Sequence, residues 1–147
     1  MRSFFDPTAQ KDLELRIQHV HASIQPAWGK MTAAQMLAHC RVAMQVPVGD
    51  LTLKPNALSW IGWMFKKMII SDKPFSKNSP TAAEYRMREE KDFESELKQF
   101  QEAFQKLAKG PDAIKCWKHP FFGKMSAEEW GCLMYKHLDH HLTQFNL

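Results

Sequence analysis

The apolar residues of this chain recur with a helical period, and that period most limits the folds open to it. Phe93, Leu97, Phe100, Phe104 and Leu107 follow one another at spacings of four, three, four and three, and the positions between them are mostly Glu, Lys and Gln. Side chains so spaced share one face of an α-helix, so residues 93–107 read as a helix with a single buried stripe. Gly110 and Pro111 follow as glycine and proline stop signals. Upstream, Arg86 and Glu89 occupy the positions where the stripe would continue, and they leave the start of this helix undefined. A first helix is expected from Asp6 and Pro7, an acidic N-cap followed by proline at the first helical position. Its stripe of Leu13, Ile17, Val20 and Ile24 extends to residue 24. His19 and His21 fall off the centre of that stripe, which places them toward solvent.

Two further helices announce their starts with the same device. Thr32 with Gln35, and Ser126 with Glu129, have the spacing of a capping box, in which cap and third helical residue satisfy each other's backbone amides. Met31 and Met36 flank the first box and Met125 and Trp130 the second, as hydrophobic staples would. The run Trp28, Gly29, Lys30, Met31, Thr32, Ala33 also resembles Phe122, Gly123, Lys124, Met125, Ser126, Ala127, so the two helices are expected to have related approach turns. No stretch alternates polar and apolar residues, so little or no sheet is expected, and the reading is an all-α bundle of four helices. Residues 47–80 are too many for a bundle loop. They are expected to carry a short extra helix, over the apolar residues 57–70, capping one end of the bundle. With 147 residues the chain is long enough for one core and reads as a single domain over 1–147.

Polar residues then stand where the core should be. In the fourth helix Trp130, Leu133, Met134 and Phe145 define a buried arc, and 100° steps put His137 and His141 near its middle, with His140 at its edge. Lys136 and Asp139 fall on the opposite side, toward solvent. An HxxxH pair one turn apart lets two ring nitrogens converge on one ion. In the second helix His39 shares a face with Met36, Val42, Ala43 and Val46 and is able to look inward too. Three neutral imidazoles buried without partners would cost about 1–3 kcal/mol each. A metal removes that cost, as would hydrogen bonds to carbonyls or water. His119, in the turn before the fourth helix, reads as a cap for backbone or the lining of a pocket. The chain has no HExxH, no glycine-rich phosphate loop, no GxSxG and no paired inward carboxylates of the di-iron kind.

Composition narrows the function classes. The net charge is +4, but the lysines are interspersed with acidic residues, so nucleic-acid binding is not expected. Cys40, Cys116 and Cys132 lack CxxC pairing and read as reduced thiols. No stretch approaches the length needed to cross a bilayer or to act as a signal peptide, which makes a cytoplasmic protein the expectation. Lys66 and Lys67, beside Trp60, Trp63, Phe65 and Ile69, leave docking on a membrane surface as a lesser reading.

Two blocks carry a family resemblance. The first is Trp28, Gly29, Lys30, Met31 and Thr32 with Gln35, Met36, Leu37, Ala38, His39 and Cys40. The second joins His119, Pro120, Phe121, Phe122 and Gly123 with His137, Leu138, Asp139, His140, His141, Leu142, Thr143, Gln144 and Phe145. The chain resembles the DinB/YfiT-like superfamily, and within it a small bacterial domain family of unknown function. The resemblance is specific at both ends of the chain and adds little over residues 48–90. It implies a DinB/YfiT-like four-helix bundle, with the short extra helix between helices two and three, and one divalent metal held by His39, His137 and His141. It selects His141 over His140 because the superfamily's second ligand is followed by Leu-x-Gln, matched here by Leu142, Thr143 and Gln144.

The resemblance further implies a metalloenzyme using Zn, Ni or Fe on a small-molecule substrate, with a low-molecular-weight thiol as co-substrate and transfer or hydrolysis as the reaction. The alternative is a non-catalytic helical bundle, with a homodimer among its forms, in which the histidines or the metal only stabilise the core and His119 or His140 completes a closed site.

Overall fold

The computed structural model describes residues 2–54, 59–69, 71, 73–77, 79 and 83–147. Among these the chain is mostly helical. Its five α-helices are α1 (Pro7–Ile17), α2 (Ala33–Gln45), α3 (Ser59–Ile69), α4 (Phe93–Leu107) and α5 (Ala127–Gln144). Single 3-10 turns lie at Ala83–Tyr85 and Pro111–Ala113, and a minimal antiparallel hairpin pairs β1 (Lys118–His119) with β2 (Gly123–Lys124). α2 packs on α4 and on α5, and α1 packs on α5.

Local chemistry accounts for most boundaries. Both capping boxes are formed, with the Thr32 and Ser126 side chains each accepting an amide at 3.2 Å and the partner Gln35 and Glu129 side chains reaching back to the cap amides. The echo between the two approach turns extends to the backbone. Gly29 and Gly123 both take left-handed conformations, with φ of 81° and 73°, and both caps have ψ of 166°. Glycine visits that region without the Cβ clash other residues meet. The start of α4, undefined by its stripe, is fixed by Asp92, whose carboxylate accepts the Ser95 amide at 2.8 Å.

Two expectations are corrected. The first helix does not run to Ile24 but ends at Ile17. Beyond it the chain turns tightly, Val20 N–H donating to the Ile17 carbonyl and Ile24 N–H to the His21 carbonyl. Val20 still reaches the core, from a turn. Residues 18–26 offer His, Val, Ser and finally Pro26, all weak or adverse in a helix, so tertiary packing faces no strong local preference. Lys136, expected in solvent, is buried. Its ammonium donates to the Ser71 carbonyl and lies 4.8 Å from the Phe75 ring centroid, because the connection after α3 folds over that flank of α5.

The long connection does carry a helix, α3. Gly62 lies against the hairpin so closely that a Cβ there would stand 1.9 Å from the Phe121 carbonyl oxygen, and Lys66 bridges to Glu129 at 2.7 Å. Residues 57, 58 and 70 and the side chains of Trp60 and Ile69 lie outside the described residues. No helix among the described residues is long and apolar enough to cross a membrane. None of the three cysteines is in a disulfide; Cys40 is buried and the others half-buried.

The core is continuous from Phe4 and Leu13 through Met36, Leu37 and Met44 to Phe100, Leu107, Trp130 and Leu138. Outside that apolar core, α2 and α4 are joined by Arg41 and Glu96, a pair at 3.0 Å whose side chains are only 16% and 8% exposed. Removing one member of such a pair strands the other charge. Glu96→Leu is therefore expected to cost about 3 kcal/mol in urea denaturation, and Arg41→Met combined with Glu96→Leu to recover most of it.

Candidate metal centre

His39 is the seventh residue after the Thr32 cap, near the middle of α2, whereas His137 and His141 lie one turn apart in the second half of α5. α2 packs on α5, and the three imidazoles meet there. One nitrogen from each lies within 4.8 Å of the others, and the ring centroids form a nearly equilateral triangle with sides of 4.8, 4.6 and 4.7 Å. The residues singled out in the sequence are the ones brought together. His140 flanks the cluster without joining it, edge-on to Trp28 and Phe75. His119 caps its turn, its Nδ1 accepting the Phe121 and Phe122 amides at 3.0 and 3.1 Å. His19 and His21 are exposed.

Hydrogen bonds on the outer side of the triangle settle where the protons sit. His39 Nδ1 lies 2.8 Å from the Tyr85 carbonyl, which only accepts, so Nδ1 carries the hydrogen and Nε2 presents a bare lone pair. Gln144 makes the same arrangement through one intermediary. Its amide nitrogen donates to the Trp28 carbonyl at 2.8 Å, which turns its oxygen toward His141 Nδ1, 2.9 Å away. His141 must then donate from Nδ1, and its Nε2 is also bare. Gly29 makes room for this relay, since a Cβ there would stand 2.5 Å from the Gln144 amide nitrogen.

His137 completes the triangle on different terms. Its Nε2 lies 2.9 Å from His39 Nε2, and since the latter has no hydrogen, His137 donates. That leaves His137 Nδ1 buried with no hydrogen-bond partner. An orphan of this kind costs about 1–3 kcal/mol, so the three rings by themselves are an incomplete polar network. Burial keeps all of them neutral. It lowers the pKa of His141 to about 3, helped by His39, and it lowers that of His39 against the opposing hydrogen bond to Tyr85. His137 falls well below its ordinary value through burial and then through its neighbours His141 and His39. Neutral imidazole is the form in which histidine binds metal. His39 and His141 already present bare Nε2 atoms, and His137 would have to move its hydrogen to Nδ1 to do the same.

The set suits a divalent transition ion. Nitrogen ligands in threes, each neutral, match Zn, Ni or Fe rather than Ca or Mg, which prefer oxygen. The outer bonds to Tyr85 and Gln144 are of the type that fixes the tautomer of ligating histidines. Among the described residues no fourth His, Cys, Asp or Glu joins the group. His39 and His141 are buried and His137 is half-buried, with its Nδ1 out of solvent. Two shallow surface hollows, one beside Lys66 and Trp117 and one beside Asp50 and Lys106, contain none of the three. Ring geometry, rather than a cleft, carries the chemistry here.

The profile of a protein family of unknown function, DUF1569, matches residues 8–146. The chain belongs to the DUF1569 family. The match spans His39, His137 and His141, and the family's description assigns no reaction to them. No curated protein and no solved structure matches the chain. For this DUF1569 protein the outer hydrogen-bond partners were only partly legible. Gln144, three residues after His141, stands where a helical neighbour should, and Gly29 before a cap signals a left-handed turn. Nothing in the sequence marks Tyr85, whose carbonyl acts through the backbone.

The buried neutral histidines set a pH dependence. His141 and His119, lowered to about 3 and about 4, take up protons in the unfolded chain near 6.5 but not in the folded one. Their stabilising share is complete above about pH 6.5 and declines as pH falls toward their folded values. Metal-free protein is expected to lose up to about 1.4 kcal/mol per pH unit for each such histidine between pH 6.5 and 4, measured by urea denaturation.

Proposed function

We propose that this DUF1569 protein is a metalloprotein in which His39, His137 and His141 hold one Zn, Ni or Fe ion through their Nε2 atoms, within a DinB/YfiT-like four-helix bundle of α1, α2, α4 and α5. The observation that carries the reading is the pair of outer hydrogen bonds, from His39 to Tyr85 and from His141 to Gln144, which strip the hydrogen from the inward nitrogens.

As the function we propose metal-dependent transfer or hydrolysis on a small-molecule substrate, with a low-molecular-weight thiol as co-substrate. When bound, the ion supplies Lewis-acid activation of a thiol or water near neutral pH. The chain's own part is to keep three nitrogens neutral and to hold the rings in register. Gln144 and the Tyr85 carbonyl are positioning groups, acting through the histidines they hold. A second reading, a non-catalytic bundle in which the ion only ties α2 to α5, draws support from the burial of His39 and His141, 5% and 9% exposed. Cobalt-substituted protein separates the two. An open position predicts that added thiol changes the visible absorption of the cobalt, whereas a closed site predicts no change.

Metal affinity tests the site itself. His39→Ala, His137→Ala and His141→Ala are each expected to weaken zinc binding more than about a hundredfold, since two nitrogens make a poor site. Gln144→Leu is expected to weaken it about tenfold to a hundredfold by releasing the His141 ring. His140→Ala and His19→Ala are expected to leave it nearly unchanged. Titration of untagged protein against a competing chelator reads all of these, and zinc lost in His140→Ala but kept in His141→Ala would contradict the assignment.

A further inference from the structure

The charge of this chain is unevenly divided. Between Asp50 and Asp72, and again between Asp112 and Glu128, there is no Asp or Glu, yet these stretches hold Lys54, Lys66, Lys67, Lys115, Lys118 and Lys124. They carry a formal charge of +6, and the remainder of the chain, with fourteen Lys and Arg against sixteen Asp and Glu, carries −2. The two stretches meet in space. α3 packs on β2, Lys66 donates to the Lys124 carbonyl, and Lys66, Trp117 and Lys124 line one surface hollow.

The same end bears most of the exposed apolar bulk. Of the five large hydrophobic side chains exposed among the described residues, only Leu15 lies elsewhere; the others are Trp63, Met64, Phe65 and Trp117, 44–66% exposed. Gly62 and Lys66 are one turn apart on the face of α3 that meets the hairpin and Glu129, which turns Trp63, Met64 and Lys67 outward. An outward helix face of aromatic and sulfur side chains, edged by lysines and free of acids, has the composition of a helix lying in the headgroup layer of a bilayer. Tryptophan favours that layer, and lysine reaches from it to lipid phosphate.

We propose that α3 and the β1–β2 hairpin form a docking face for an anionic phospholipid surface, with Trp63, Met64 and Trp117 entering the headgroup layer and Lys67, Lys118 and Lys124 pairing with lipid phosphates. Charge complementarity selects this occupant. A second copy of this chain would bring Lys67, Lys118 and Lys124 against the same three lysines. A nucleic acid would leave the outward apolar face of α3 without partners, since phosphates fill a groove of cations rather than cover Met64 and Phe65. The face is separate from the histidine cluster and does not depend on its metal.

Sedimentation of the full chain with vesicles tests the proposal at low salt. Binding is expected to vesicles of about 30 mol % phosphatidylglycerol in phosphatidylcholine, and to weaken at least about tenfold in pure phosphatidylcholine. The triple variant Lys67→Glu, Lys118→Glu, Lys124→Glu is expected to lose at least about tenfold in partitioning. Trp63→Ser with Trp117→Ser is expected to do the same while abolishing the blue shift of tryptophan emission on vesicle addition. Leu15→Ser and Lys98→Glu, exposed positions elsewhere, are controls expected to bind as the parent does, and unchanged far-UV circular dichroism checks that each variant is folded. Failure of the parent to bind the anionic vesicles overturns the proposal. So does binding that the face variants leave unchanged, or a concentration-dependent dimer that Trp63→Ser dissociates while vesicles go unbound.

Discussion

An imidazole buried among apolar side chains holds one tautomer only if something on the protein side accepts its hydrogen, and the rest of the site depends on that condition being met twice. The Tyr85 carbonyl meets it for His39 and the Gln144 oxygen meets it for His141, itself oriented by the Trp28 carbonyl. With those hydrogens held outward, the inward nitrogens of His39 and His141 are lone pairs, and His137 donates its Nε2 hydrogen to His39 and leaves its Nδ1 stranded. The stranded Nδ1 costs the fold stability, and an ion held by the three Nε2 atoms would require His137 to carry its hydrogen there.

The scaffold serves that condition at several levels. Matched capping boxes set where α2 and α5 begin, and with them the rotational phase that turns His39, His137 and His141 to one interface. Gly29, left-handed ahead of the first box, lets the Trp28 carbonyl approach Gln144. The last turn of α5 is held to α1 by Arg16, whose guanidinium binds Asp139 at 2.7 Å and reaches the Thr143 hydroxyl and the Leu147 carbonyl. The connection after α3 closes one side, with Tyr85 on His39, Phe75 on His140 and Ser71 on Lys136. At α3 itself the demands are different: its inner face is fixed to the hairpin by Gly62 and Lys66, which leaves the apolar outer face free of any role in the core.

How much of this the sequence disclosed followed from the range of each interaction. Caps and stripes are local, so α2, α4 and α5 and the inward phase of the three histidines could be read from residues a turn or two apart. The hairpin was not foreseen, because strands of two residues leave no alternation to detect. The end of α1 was misplaced because Val20 and Ile24 keep a helical spacing while reaching the interior from turns. Lys136 was assigned to solvent by helical phase alone, and its burial depends on a segment some sixty-five residues away. Tyr85 contributes a backbone atom, which no side-chain pattern reports. The long-range partners of a site are thus harder to read than its ligands.

The tautomers are the most direct point of attack. Long-range proton–nitrogen NMR on histidine-labelled protein distinguishes a nitrogen that carries hydrogen from one that does not, for each of the seven histidines. Metal-free protein is predicted to show His39 and His141 with hydrogen on Nδ1 and a bare Nε2. An equimolar amount of zinc is predicted to shift the Nε2 signals of His39, His137 and His141, leaving those of His19, His21, His119 and His140 in place. Hydrogen on Nε2 of His39 and His141, or zinc shifts that appear at His119 or His140 in place of these three, would contradict the account.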